Sequence, residues 1–153
     1  MQGLGSMENL VHHFYQPLQV VVSFFVGAII GWEREHRGAH AGIRTFGCIA
    51  MGACIFGLIS INLPLPADPS RIAAQVAIGV GFIGAGVIFR VGGQIGGLTT
   101  AATLWCTSAI GLSIAFGMYN ISLISTVIIF IFLRMPQTRV WRVVSAKQNK
   151  SNN

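Results

Sequence analysis

Charge is what this sequence has least of. Only 9% of its 153 residues are Asp, Glu, Lys or Arg, whereas a soluble domain carries about a quarter. A chain that is 53% hydrophobic cannot cover a water-facing surface with so few ions, which excludes a soluble globule and leaves an integral membrane protein. Acids are scarcest, four in all, so little is on hand to coordinate a hydrated cation unless several copies build the site together. The cysteines Cys48, Cys54 and Cys106 sit inside apolar runs and form no CxxC. An odd, intramembrane set argues against a disulfide framework or a zinc site and reads as small packing residues. No Ser–His–acid or Cys–His grouping occurs, and His12, His13, His36 and His40 fall in flanks or loops, where solvated side chains are expected. Neither an enzyme nor a cofactor is expected on these grounds. The chain opens without a basic n-region, so no cleavable signal is predicted. Gly5-Ser6-Met7 has the form of a cloning scar, which leaves residues 1–6 open between tag and native chain.

What is there is apolar and helical. Five segments stand out: about Leu18 to Trp32, with an extension back over Leu10–Tyr15 across Pro17; Thr45 to Leu63; Asp68 to Arg90; Leu98 to Phe116; and Ile121 to Met135. They predict an all-α membrane protein, a compact bundle of five transmembrane helices. Residues 1–16 read as an N-terminal flank, 17–135 as the transmembrane domain and 136–153 as a basic cytoplasmic tail. Nine basic residues fall on one side of such a bundle and only Arg71 on the other, which places the N-terminus outside and the C-terminus in the cytoplasm. That placement also explains the net charge of +6 without nucleic acid. Arg139-Val-Trp-Arg142 in the tail suits a headgroup region.

The third segment has the clearest start and the clearest sidedness. Asp68 is a helix cap with Pro69 at the first helical position. Val76, Val80, Ile83 and Val87 share one narrow side, expected to face lipid, while Ala73, Ala74, Ala77, Gly81, Gly84 and Ala85 form a broad small face opposite, expected to pack on protein. Arg71, Gln75, Gly79 and Gly86 lie between. Gly79-Val-Gly-Phe-Ile-Gly84 matches the dinucleotide fingerprint, but it has no preceding strand and no acid downstream, so close packing is the reading kept. Small-residue stripes recur at Ser23, Gly27 and Gly31, at Gly47, Ala50, Cys54 and Gly57, and at Thr99, Ala102, Cys106, Ala109 and Ser113. Such stripes predict a dense bundle without a wide pore, and more of them than five helices can cover predicts a homo-oligomer.

Two polar clusters carry the remaining chemistry. At the cytoplasmic end stand Glu33, Arg34, Glu35, Arg44 and Thr45, with Arg90 near by; they form either an interfacial anchor or a cluster with Glu33 and Arg44 turned into the bundle. At the outer end stand Asp68, Arg71 and Gln75, either a cap with a local ion pair or an outward site in which Asp68 is a weak candidate metal ligand. The glycine-rich link Val91–Gly97 permits a sharp or re-entrant path. Thr99 and Thr100 open the fourth helix; back-bonding to carbonyls is their default.

Gly31-Trp-Glu-Arg-Glu with Ala41-Gly-Ile-Arg-Thr45, Asp68-Pro-x-Arg-Ile-Ala-Ala-Gln-Val, Gly81-Phe-Ile-Gly-Ala-Gly-Val-Ile and Gly97-Leu-Thr-Thr-Ala-Ala-Thr-Leu-Trp105 occur in this order. Together these blocks resemble the MgtC/SapB family of bacterial inner-membrane proteins. The resemblance implies a five-helix membrane domain, adaptation to low magnesium and, in some members, survival inside host cells; it implies no established enzymatic reaction. The chain departs from that pattern at Gly96, where many relatives carry a basic residue, and in stopping about twenty residues past its last helix, where longer members continue into a soluble domain. The function expected is a non-catalytic regulator of ion homeostasis acting through contacts with itself or with a membrane transport or energy-coupling complex. The alternative is an oligomeric transporter or channel for Mg²⁺ or another small solute.

Overall fold

In a computed structural model the described chain comprises residues 2–64, 68–91 and 94–135, with side chains from Phe14 onward, Val91 excepted. The basic tail, the candidate scar residue Met1 and the Gly92-Gly93 pair lie outside the described residues. Five helices form: α1 Gln2–His36, α2 Ile43–Ile61, α3 Ser70–Gly86, α4 Leu98–Ala115 and α5 Tyr119–Arg134, with a short hairpin, β1 Phe89–Val91 and β2 Gln94–Gly96, between α3 and α4. Phe14–His36, α2 and α4 are long and apolar enough to cross a membrane, whereas α3 and α5 are shorter apolar helices. At 1.5 Å per residue those two reach only about 25 Å. α1 runs through Pro17 without a break.

Packing follows from where backbones can approach. α4 touches all four other helices; α3 rests on α2 and α4, and α5 on α4 and α1. A side chain at Gly27 would strike the Phe46 carbonyl, and one at Gly31 would come within 2.7–2.8 Å of Gly42 and Ile43. One at Gly111 would strike the Ala50 carbonyl. These three glycines therefore set the spacing of α1, α2 and α4. Around them Ile30, Phe46, Cys54, Leu58, Leu104, Ile110 and Ile114 form the core.

The structure overturns part of the sequence expectation for α3. Val76 and Val80, expected to face lipid, are buried, and Gly81 of the small face meets open space, whereas Gly84 of that face is buried and Ile83 is exposed as expected. Gly79 and Gly86 also face open space and Phe82 is 84% exposed. The small residues that receive the valines belong to the neighbours, with Ala53 on α2 beside Val76 and Val80 and Ala101 on α4 beside Gly84. In a helix apolar on every side, periodicity fixes two faces but not which one turns inward. α4 is rotated likewise: Thr100, Thr103, Leu104, Thr107 and Gly111 are buried, whereas Thr99, Ala102 and Ala109 of the expected stripe are exposed.

α3 also stops sooner than its apolar run. Val87 and Ile88 donate to carbonyls three residues back, and Phe89 then pairs with Gly96 in the hairpin. Gly97 closes the link with φ +84°, and a side chain there would strike the Val87 carbonyl, so this turn requires glycine. A tight turn through Gly117, φ +72°, joins α4 to α5.

Candidate functional site

The arginine-rich end of α1 holds the densest polar chemistry. Glu33 is 4% exposed, and its Oε1 accepts a hydrogen bond from Arg37 Nε at 2.7 Å. The two are four residues apart, so one helical turn brings them together. Arg37 Nη2 donates in turn to the Arg134 carbonyl at 2.8 Å, in the last turn of α5, where helix carbonyls lack internal partners and favour cations. Arg34 points to another neighbour, donating through Nη2 to the Thr100 hydroxyl at 3.3 Å. α1 is thereby tied to the end of α5 and the start of α4 by consecutive turns of one helix. Glu33 Oε2 and Arg34 Nε are buried without a hydrogen-bond partner among the described residues.

Glu35 serves the loop. Its Oε2 accepts from the Ile43 amide at 3.0 Å, capping the first turn of α2 from the preceding helix. Gly42 has no side chain where that carboxylate lies, and Gly38, φ +68°, makes the turn. His40 meets Phe89 edge-on at 5.6 Å, which joins this loop to the hairpin. Of the two sequence readings, Glu33 does turn inward, but Arg44, Thr45 and Arg90 are exposed and its partner is Arg37. Thr99 is exposed, and its carbonyl accepts from Thr103.

At the opposite end Asp68, Arg71 and Gln75 are all exposed. Asp68 Oδ1 accepts from the Ser70 amide at 2.9 Å, and Pro69 lies in the right-handed helical region. Asp68 thus caps α3 one residue ahead of Pro69. The hydrogen bonds from the Ser70 backbone and side chain, with a smaller share from Arg71, hold its carboxyl below the usual range. Arg37–Glu33 is the single ion pair among the described residues, so Asp68 and Arg71 are not bridged. Nor is there any group of three His, Cys, Asp or Glu among the described residues that could hold a metal ion. Sequence reasoning missed Gln19, a buried amide on α1 that donates to the Ile114 carbonyl at 2.7 Å and the Tyr119 hydroxyl at 2.8 Å. It pins the α4–α5 turn, and only its polarity within an apolar run could have marked it.

Between the two ends most buried hydroxyls are engaged locally: Ser23, Thr103, Thr107, Ser108, Ser113 and Thr126 each donate to a carbonyl three or four residues earlier on their own helix, the usual way such groups are satisfied in an apolar helix. A groove of about 460 Å³ runs between α2 and α3 beside Cys48, Gly52, Phe56, Gln75 and Gly79.

Apolar helices packed through glycine, with ionic side chains gathered at the helix ends, define a small helical membrane protein. The chain belongs to the MgtC family, whose model matches residues 20–139. It is 42% identical over 148 residues to Protein MgtC of Salmonella typhi, covering 94% of this chain and 64% of that protein. Protein MgtC of Brucella abortus is 42% identical over 107 residues, 70% of this chain and 45% of the relative. The chain therefore spans less than two thirds of the length of these curated relatives. No solved structure matches it.

Proposed function

We propose that this chain is a non-catalytic, multi-pass protein of the bacterial inner membrane that regulates ion homeostasis, magnesium in the first place, with a role in stress or intracellular survival. It acts through contacts with other membrane proteins, including copies of itself and a transport or energy-coupling complex. Its five helices span the bilayer with the N-terminus outside, and the Glu33–Arg37–Arg134 cluster lies at the cytoplasmic face. The observation that supports this reading is where the polar and apolar groups lie: hydroxyls of α4 donate to carbonyls of their own helix, while exposed apolar surface suited to contacts is extensive on α3 and α5.

Purified protein reconstituted into liposomes loaded with a magnesium-sensitive dye tests it. Mg²⁺ entry is expected to equal that of protein-free vesicles. Entry well above that background, reduced in Asp68→Ala or Glu33→Gln, would replace the regulator with the transporter reading.

A further inference from the structure

Two helices lie at the edge of the bundle, and their outward faces differ in kind. α5 exposes Leu123, Val127, Ile128, Ile131 and Phe132, bulky apolar side chains suited to acyl chains. α3 exposes Arg71, Gln75, Ile78 and Phe82, spaced i, i+4, i+7 and i+11 as in a coiled-coil seam. Gly79 and Gly86 flank that seam and would meet nothing if a Cβ were added.

Gln75 lies five residues into α3, about 8 Å along the axis. It has no hydrogen-bond partner among the described residues. An amide left facing hydrocarbon without a partner is unfavourable. Asp68 and Arg71, at the head of the same helix, form no ion pair among the described residues. The face thus carries one amide without a partner among the described residues, and a carboxylate and a guanidinium that are not bridged to each other.

We propose that α3 is a homodimer seam, along which two copies of this chain pair through Arg71, Gln75, Ile78 and Phe82. The seam is complementary to itself. About a two-fold axis along the membrane normal, equal positions meet at equal depth, so the two Gln75 amides exchange donor and acceptor. Arg71 of each copy then comes within one helical turn of Asp68 of the other. Phe82 is 84% exposed and stands at the centre of the seam's deeper half, where two copies can pack ring against ring. Gly79 and Gly86 let the backbones close on each other. A lipid chain supplies none of the missing polar partners. The seam rests on the self-association within the proposed function and gives it a surface.

Disulfide crosslinking of the full chain in native membranes tests it, in a background with Cys48→Ala and Cys106→Ala. Ile78→Cys and Phe82→Cys are expected to give a covalent dimer, and Val127→Cys on α5 none. Without added cysteines, Gln75→Leu is expected to weaken association in lipid nanodiscs about three- to tenfold, and Gly79→Leu to abolish it. Thermal melting should show both variants folded. Crosslinking at Val127 but not at Ile78 or Phe82 overturns the α3 seam and leaves self-association standing. A monomer at all concentrations in nanodiscs overturns both.

Discussion

Glu33 shows how a side chain's setting decides what its removal costs. The carboxylate is buried on α1 and held by Arg37, whose guanidinium also reaches the end of α5. Breaking a buried ion pair by removing one partner costs about 3–5 kcal/mol, and because Arg37 is 41% exposed the expected loss in Arg37→Ala is about 1–3 kcal/mol. Glu33→Gln in the same chain removes the stranded charge and should recover part of that loss. A double-mutant cycle read by thermal melting in detergent checks this; strictly additive losses would show that the pair is not coupled. The i, i+4 relation of Glu33 and Arg37 is visible in the sequence, yet Arg34 and Arg44 compete there for the same acid. The phase of the helix against α4 and α5 decides between them, and that phase is tertiary. Asp68 was legible because its signal is local: an acid, a proline and a free amide two residues on. Gln19 was not, since its partners lie about a hundred residues away on α4 and α5.

At the scale of elements, the five helices and their order could be read from the apolar runs and the prolines and glycines between them. The sides they turn inward could be read for α1 and α2 but not for α3 and α4. α1 and α2 present Gly27, Gly31, Ala50 and Gly57 to each other or to α4 as their small-residue spacing predicts, whereas α3 and α4 expose stripes of the same kind. A glycine therefore carries opposite energetic signs according to its helix. In Gly111→Ala the new methyl meets the Ala50 carbonyl, backbone that cannot step aside without separating α2 from α4, at a cost of about 1–3 kcal/mol. In Gly79→Ala the methyl meets nothing, and the helix gains about 0.5–1 kcal/mol from reduced backbone freedom in the unfolded chain. Melting of the two variants as detergent-solubilised monomers is expected to move in opposite directions. Equal destabilisation by both would mean that the Gly79 side of α3 is packed against a neighbour. The hairpin escaped the sequence reading because three-residue strands beside a long apolar helix leave too short a pattern to register.

For the whole molecule, the arrangement of helices and charges makes orientation the most exposed consequence. α1, α3 and α5 run in one direction and α2 and α4 in the other if each crosses once, so Arg34, Arg37, Arg44, Arg90 and Arg134 gather at one end and Arg71 stands alone at the other. Moving those arginines to the outer face would set five or more charges against the preference for Lys and Arg on the cytoplasmic side. The folded ends bind these helices together, whichever side they face. Arg37 ties the end of α1 to the end of α5, and Arg34 ties it to the start of α4, so the three termini lie at a common level and cannot be inverted one at a time. Alkaline phosphatase fused after Asn62 or within the Gly117 turn should therefore be active, and a fluorescent protein fused after Met135 should fluoresce from the cytoplasm. Replacing Arg34, Arg37 and Arg44 together by Gln should weaken this preference, because the remaining ends then differ by far less positive charge. Active phosphatase at Met135 in the unaltered chain would mean either an inverted bundle or an even number of spans. Fusion activity at Asn62 tells these apart: it is lost on inversion but kept if α5 alone fails to cross.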